Sequence, residues 1–169
     1  MPTVYLALGT NLGNRAANLS RARQALRAGF TIKDSDCSAV WETEPADVLD
    51  QPRFYNACCR ATSNLPPLDT LRALKRIESE MGRQPGIRFG PRLIDLDLLF
   101  YDELILDTPE LTIPHPRLPE RAFVLVPLAE IAPDFVHPKL GLTIIQLRDQ
   151  LGETLKTVWP AEPSLPQQI

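Results

Sequence analysis

The chain has 169 residues and a formal charge of −3, with 44% hydrophobic and 23% charged residues. This composition is typical of a single globular domain with a substantial core. The slightly acidic balance argues against a broad binding surface for nucleic acid or anionic lipid. The sequence contains no apolar run long enough to predict a membrane-spanning helix.

The cysteines and the N-terminus indicate the cellular compartment of the protein, and the C-terminal residues indicate where its domain ends. Cys37, Cys58 and Cys59 are odd in number, and two of them are adjacent, which is a poor disulfide framework. Together with an N-terminus that lacks a signal-peptide pattern, this predicts a protein of the reducing cytoplasm. We expect one domain over residues 1–160 and a loose tail over residues 161–169.

The first hundred residues predict strands and helices in the order βαββαβ. These elements span residues 3–9, 15–28, 31–42, 54–62, 66–81 and 93–101. Their order predicts a ferredoxin-like α+β fold, with an antiparallel sheet that carries helices on one face and leaves the other free. The remaining chain predicts a Pro-rich crossing segment over residues 108–119, helices over 119–131 and 143–151, and a last strand over 154–159.

Two loops, at residues 43–53 and 84–91, are rich in proline and polar residues. The first is long for a compact domain, and loops of that length are more often functional than idle. In the strand at residues 54–62, alternation places Phe54 and Asn56 on one face. We expect both loops to lie over that face as lids.

Asp95 and Asp97 stand two residues apart in the strand at residues 93–101. Alternation directs both carboxylates to the face of Phe54 and Asn56, about 6.5–7 Å apart along the strand. Two charges at that distance repel by roughly 2 kcal/mol at an effective dielectric of about 20, and a divalent cation would remove this cost. The apolar residues of the strand are expected on the opposite face: Ile94, Leu96, Leu98 and Phe100.

Arginines cluster just before this pair of acids, at Arg83, Arg88 and Arg92. Guanidinium groups suit phosphate oxygens, to which they donate paired hydrogen bonds. An acid pair of this kind alone is more often a solvated strand face. The arginine-rich loop beside it favours phosphoryl or nucleotidyl transfer.

Residues 88–99 read Arg-Phe-Gly-Pro-Arg-Leu-Ile-Asp-Leu-Asp-Leu-Leu, and this stretch resembles the signature of the 6-hydroxymethyl-7,8-dihydropterin pyrophosphokinase family. Other stretches resemble the same family in order and spacing: residues 8–13, 43–45, 51–57, 76–78, 82–83, 111–116 and 121–123. The resemblance implies a ferredoxin-like fold and an enzyme of folate synthesis. That enzyme transfers diphosphate from ATP to the hydroxymethyl group of the pterin, and AMP leaves.

The resemblance also implies roles for individual residues. The catalytic set is Asp95, Asp97, Arg83 and Arg92, with two Mg²⁺ held by Asp95 and Asp97. Pterin contacts are expected from Thr43, Pro45, Ala46, Phe54, Asn56, Phe89, Asp95 and Phe123. ATP contacts are expected from Leu71, Glu78, Arg83, Arg88, Arg92, Leu98, Thr112, His115 and Arg121. We interpret His137 as structural, and we expect a monomer that binds ATP and the pterin, with no nucleic-acid or membrane partner.

Two alternatives stay open on the sequence alone. A nucleotidyltransferase also combines a glycine turn with paired aspartates, although its turn usually lies shortly before the acids, whereas Gly9 is far upstream of Asp95. A non-catalytic ligand-sensing module of the same fold would need neither Mg²⁺ nor both acids.

Overall fold

The computed structural model describes residues 1–86 and 90–161. Its main sheet is built from β1 (Thr3–Thr10), β2 (Trp41–Thr43), β3 (Phe54–Thr62), β4 (Asp95–Tyr101) and β7 (Val158–Pro160). These five strands are antiparallel and lie in the order β4-β1-β3-β2-β7. A separate two-stranded sheet joins β5 (Leu106–Asp107), just before the Pro-rich crossing segment, to β6 (Thr112–Ile113) within it.

Four α-helices complete the fold: α1 (Arg15–Gly29), α2 (Pro67–Glu80), α3 (Ala122–Ile131) and α4 (Ile144–Asp149). The order of β1, α1, β2, β3, α2 and β4 confirms the predicted ferredoxin-like α+β arrangement. No helix among the described residues has both the length and the apolar character that a bilayer crossing requires.

The first two helices cover one face of the sheet. The Asn14 side chain accepts a hydrogen bond from the Ala17 N–H and so caps the start of α1, while Pro67 begins α2 at a position that suits proline. Leu19 of α1 and Leu74 of α2 are fully buried against β1 and β4, in what we call the first core cluster. Each such leucine contributes roughly 1.5–3 kcal/mol by leaving water.

The other face of the sheet is only partly open, which corrects the expectation of a free face. Helices α3 and α4 pack there around a second cluster that includes Tyr5, Leu125 and Leu128. The uncovered part lies where β1, β3 and β4 bring Gly9, Asn56 and Asp95 together.

The prediction of a single strand over residues 31–42 is wrong, because regular strand pairing is interrupted within this segment. Thr31 and Cys37 make only isolated bridges to β3, and a 3₁₀ turn at Asp34–Asp36 separates them. Asp34 turns outward to pair with Arg23 and Arg27 of α1, so regular pairing is confined to the three residues of β2.

Phe100 lies on the opposite face from the one predicted. The pairing of β1 with β4 shifts register between Tyr5, which faces Phe100, and Leu6, which faces Leu98. Leu99 is therefore an extra residue of the bulge type, and the alternation slips by one position beyond it. Phe100 consequently packs in the second cluster with Tyr5 and α3, not with Leu96.

The cysteine prediction is also wrong for one pair, because Cys37 and Cys59 form a disulfide. The two residues face each other in an isolated bridge between β3 and the segment that precedes β2. Sequence spacing does not reveal this proximity. Cys58 is a free, buried thiol. The cytoplasmic location stays a prediction, now without the support of the cysteine pattern.

The C-terminal elements are shorter than expected. Pro119 lies in a 3₁₀ turn at Leu118–Glu120, so α3 starts only at Ala122. A further 3₁₀ helix at Gly152–Thr157 means that β7 starts only at Val158. Ala161 is buried and donates its N–H to the Val40 carbonyl, so it is not part of a loose tail. The rest of the predicted tail, residues 162–169, lies outside the described residues.

Candidate functional site

A pocket opens on the uncovered part of the sheet, and its position follows from strand register. Gly9 of β1 faces Asn56 of β3 on one side and Asp95 of β4 on the other. Residues directly opposite in neighbouring strands share a face, so the amide and the carboxylates point into the same space. The lining residues are Ala7, Leu8, Gly9, Thr43, Glu44, Ala46, Asp47, Gln51, Phe54, Asn56, Arg92, Asp95, Asp97, Arg121, Phe123 and Val124.

One end of this pocket, formed by Gly9, Thr43, Phe54, Asn56 and Phe123, is neutral, and we call it the amide end. Asn56 is 7% exposed and donates a hydrogen bond from Nδ2 to the Thr43 hydroxyl at 2.8 Å. A Cβ at Gly9 would lie only 2.8 Å from Asn56 Oδ1, so this strand position requires glycine. The carboxamide thus keeps donor and acceptor capacity for a flat polar ligand, and Phe54 and Phe123 line the same pocket with aromatic rings.

The other end, which we call the acid end, contains Asp95 and Asp97 together with Arg92 and Arg121, and Arg83 reaches it from just beyond α2 through an ion pair with Asp95. The Asp95 carboxylate accepts hydrogen bonds from Arg83 at 3.1 Å and from Arg92 at 3.0 Å. Arg121 Nη1 lies 3.9 Å from Asp97 Oδ2. The three guanidinium groups therefore converge on the two predicted metal-binding acids.

Asp97 is electrostatically the most perturbed group of the acid end. Burial raises its pKa to about 6, and the charge of neighbouring Asp95 adds to the rise, while Lys75 and Arg121 oppose it. A second carboxylate in the same space disfavours the charged form of the first. A cation bound between the two acids would reverse this penalty.

Glu78 supports the acid end from beneath. Its buried carboxylate accepts the Leu96 N–H at 2.7 Å and lies 2.8 Å from Arg83 Nη1. It therefore ties α2 to β4 and aims Arg83 at Asp95. A second, shallower pocket adjoins this network, and its lining consists of Lys75, Glu78, Ser79, Arg83, Gln84, Pro85, Gly86, Pro91 and Arg92.

His115 lies beside the edge of β4, where its N–H donates to the Leu99 carbonyl. Its Nδ1 accepts the Arg117 N–H at 3.2 Å, so the ring hydrogen is on Nε2. Burial lowers the pKa of His115 to about 4, and the positive charge of Arg121 adds to this effect. The imidazole is therefore a neutral hydrogen-bond donor near pH 7.

The structure brings most predicted site residues to the two pockets, but not all. Pro45 is half-buried between Glu44 and Ala46, which line the first pocket. Leu71, Thr112, Leu98 and His115 are outside the described lining of both pockets. Leu98 is only 3% exposed in the first core cluster, so its ATP contact gains no support here and stays a prediction. The predicted contacts of Arg88 and Phe89 lie outside the described residues.

Sequence reasoning missed Asn11 as a site residue. This side chain is 3% exposed and donates to Gln51 Oε1 and to the Pro52 carbonyl, while its Oδ1 accepts the Arg92 N–H at 2.7 Å. Asn11 therefore holds one end of loop 43–53 against the segment that carries Arg92. Its only sequence signal is its position in a glycine-containing turn after β1.

The donor set at the acid end fits a magnesium ion that is completed by a ligand. Among the described residues, no cluster of three or more His, Cys, Asp or Glu side chains could enclose a metal ion. Asp95 and Asp97 supply hard carboxylate oxygens on one face, and Mg²⁺ commonly takes one or two carboxylates plus waters and phosphate oxygens. The acids suit Mg²⁺ brought together with a phosphate compound.

Comparison with known proteins identifies a family and several relatives. A family model described as 7,8-dihydro-6-hydroxymethylpterin-pyrophosphokinase matches residues 5–133. A Synechocystis protein named 2-amino-4-hydroxy-6-hydroxymethyldihydropteridine pyrophosphokinase is 43% identical over 160 residues, covering 95% of this chain and 80% of its own length. The folic acid synthesis protein FOL1 of Dictyostelium discoideum is 41% identical over 145 residues, which is 86% of this chain and 22% of that protein.

The chain is much shorter than several of its relatives. It spans between 20% and 26% of the folic acid synthesis and bifunctional folate synthesis proteins that it matches. Among solved structures, a wild-type Plasmodium falciparum HPPK-DHPS with pteroate superposes with a TM-score of 0.73 at 16% identity. That superposition covers 92% of this chain and 45% of the other. At that identity the superposition confirms the fold alone.

Proposed function

Because the chain belongs to the 7,8-dihydro-6-hydroxymethylpterin-pyrophosphokinase family, we propose that it transfers diphosphate from ATP to 6-hydroxymethyl-7,8-dihydropterin in folate synthesis. In this reaction the hydroxymethyl oxygen forms a bond to the β-phosphorus of ATP and loses its proton. The bond from that phosphorus to the oxygen shared with the α-phosphate breaks, and AMP leaves with the bonding electrons. The product is the pterin diphosphate.

The observation that carries this proposal is the presence of both ends in one pocket. Gly9 lies on the central strand β1, with Asn56 opposite it on β3 and Asp95 opposite it on β4. A neutral ring bound at the amide end would therefore lie beside the acids. A phosphate acceptor and the groups that handle phosphate therefore share one cavity. Holding two reactants in this way accounts for much of the rate enhancement in phosphoryl-type transfers.

The amide end is the proposed pterin site. Asn56 offers both a donor and an acceptor to the polar edge of the ring, and Phe54 and Phe123 stack against its faces. Thr43, at the end of β2, and the loop residues Pro45 and Ala46 close the side of this site. Phe89 belongs to the same proposed site through the family resemblance alone.

The acid end is the proposed phosphate site. Asp95 and Asp97 would hold two Mg²⁺, with ATP oxygens and waters completing the coordination. When bound, the ions supply positive charge that offsets the charge spread over the transferring phosphate. Asp95 also lies closest to the amide end by register, which suits it to orient the attacking hydroxyl.

The arginines of the acid end are proposed to exchange partners when ATP binds. Arg83, Arg92 and Arg121 now lie within reach of the two carboxylates. Phosphate oxygens are acceptors of the same kind, and Mg²⁺ would take over the neutralisation of the acids. Neutral His115 donates from Nε2 on the same nucleotide side. Further proposed ATP contacts are Leu71, Glu78, Arg88, Leu98 and Thr112.

We also propose that the chain acts as a monomer in the cytoplasm. Both ends of the described pocket are built from one copy of the chain.

Phosphorus NMR of the reaction mixture tests the proposed activity. Incubation of the chain with ATP, Mg²⁺ and the dihydropterin should yield AMP and the pterin diphosphate in equal amounts. A control without the pterin should leave ATP intact. Release of pyrophosphate with an adenylylated pterin would instead identify a nucleotidyltransferase. Binding of both compounds without any turnover would identify a sensing module.

A further inference from the structure

We propose that Asp47 and Arg117 form a positioning pair, in which loop 43–53 is fastened across the mouth of the pocket to the segment at residues 115–121. The two residues are 70 positions apart in the sequence and make two hydrogen bonds, from Nη2 to Oδ1 at 3.1 Å and from Nη1 to Oδ2 at 3.3 Å. This inference rests on the proposed function, because the pair would act on pterin binding.

The pair joins the two rims of the pocket. Asp47 lines the pocket on the loop side, next to Ala46. Arg117 lies on the segment that leads into Arg121 and Phe123, which also line the pocket. A contact between Asp47 and Arg117 therefore sets how closely the loop approaches the groups that face it.

Arg117 is also held by contacts with residues of its own segment, so its guanidinium group has a defined position. Its Nε donates to Glu120 Oε1 at 2.6 Å, and its backbone N–H donates to His115 Nδ1. The carboxylates of Asp47 and Glu120 raise the pKa of Arg117, in keeping with a persistent positive charge. The same residue thus contacts the loop and orients an imidazole on the nucleotide side.

Polar contacts are what hold the middle of loop 43–53. Glu44, Ala46, Asp47, Leu49 and Asp50 are exposed, and Leu49 reaches 75% exposure. Little apolar burial is available to fix such a segment. A two-pronged guanidinium–carboxylate contact is both stronger and more directional than a single hydrogen bond, so it is suited to keep the loop over a bound ring.

A double-mutant cycle tests the pair with the full chain. Asp47→Asn, Arg117→Gln and the double variant are titrated with 6-hydroxymethyl-7,8-dihydropterin in the presence of Mg²⁺ and a nonhydrolysable ATP analogue. Each single change should raise the Kd for the pterin about three- to fivefold, the upper range for a partly exposed ion pair. The double variant should be no weaker than the weaker single variant. Arg117→Lys should fall in between, because it keeps the charge without the two-pronged geometry.

Controls separate this role from general stability and from direct nucleotide binding. Arg148→Gln removes an exposed ion pair with Asp149 within α4 and should leave the pterin Kd unchanged. The Kd of the ATP analogue and the melting temperature should change little in all variants. Two results would overturn the proposed pair, provided that the wild type binds the pterin. One is additive effects of the two changes on the pterin Kd, and the other is an unchanged pterin Kd in the single variants. Failure of the wild type to bind the pterin would overturn the proposed function, and this inference with it.

Discussion

The two ends of the pocket are built by different physics. At the amide end, Asn56 and Thr43 are buried and neutral, and the absence of a side chain at Gly9 makes room for the Asn56 carboxamide. At the acid end, Asp95 and Asp97 are each about one-fifth to one-quarter exposed and are balanced by arginines. The first end is shaped by packing before any ligand arrives. The second is held by charges that can change partners, so it is completed only by its ligand.

The largest expected effect comes from the acid end. Asp97→Asn removes one charged oxygen ligand while keeping side-chain size, and it should lower kcat by about a thousandfold or more, because several kcal/mol of charge stabilisation are lost. The pterin Kd should stay within about twofold of the wild type. Steady-state rates and a pterin titration check this.

Asp107→Asn on β5 serves as the control for that change, since Asp107 is an exposed acid outside both pockets. It should behave like the wild type. Substantial diphosphate transfer by Asp97→Asn would contradict the assignment of Asp97 as a metal ligand. It would also contradict the account of the acid end as the part of the pocket that its ligand completes.

At the amide end the expected effect is on affinity. Asn56→Ala removes the donor and acceptor for the ring edge and leaves Thr43 without its buried partner. Loss of hydrogen bonds at a buried site should weaken pterin binding about tenfold to a hundredfold. Calorimetric titration of the pterin measures this. An unchanged pterin Kd would place the ring elsewhere in the pocket.

A smaller effect is expected from the strand between the two ends. Gly9→Ala places a Cβ against Asn56 Oδ1 and must push the carboxamide aside. We expect the pterin Kd to rise about three- to tenfold, in line with overpacking of a tight site. Gly29→Ala is the matched control, because a Cβ there meets nothing within 4 Å. Equal affinities in the two variants would argue against a pocket preformed by packing.

The smallest effect on activity is expected from His137, which lies outside both ends. Its Nδ1 accepts the Lys139 and Leu140 N–H groups, and the ring is 3% exposed. His137→Phe keeps a ring but removes the acceptor, so the free energy of unfolding should fall by about 1–3 kcal/mol, with kcat and both affinities unchanged. Urea unfolding and steady-state rates check this. A changed kcat would give His137 a role that its structural interpretation denies.

The pH dependence of His137 has a definite sign. Burial lowers its pKa in the folded state below the ordinary 6.5, and the charge of Lys139 acts in the same direction. At this position the unfolded chain therefore binds more protons than the folded one, and the contribution of His137 to stability falls as pH drops below about 6.5. The stability difference between the wild type and His137→Phe should narrow over that range. A difference that widens would contradict a neutral buried imidazole.

Local pattern was enough to predict the core of the site. Period-two alternation assigned Asp95, Asp97, Phe54 and Asn56 to one face, and the βαββαβ order brought their strands together, as the register confirms. The helices α1 and α2 also followed from their apolar stripes and end signals. These features depend on residues near each other in the sequence.

The features that were missed depend on tertiary contacts. Asn11 reaches Arg92 across 81 positions, and no local pattern marks that contact. The interruption of the strand at residues 31–42 coincides with a 3₁₀ turn whose Asp34 pairs with Arg23 and Arg27 of α1. The disulfide of Cys37 and the shift of Phe100 both arise from strand register. Such effects appear only once the fold is known.

The most direct test of this account is a calorimetric titration of a nonhydrolysable ATP analogue with and without Mg²⁺. We predict that the wild type binds the analogue with Mg²⁺ and loses most of that affinity in EDTA, and that Asp97→Asn binds weakly in both. Equal binding of the analogue by the wild type with and without Mg²⁺ would contradict a nucleotide site completed by metal at Asp95 and Asp97.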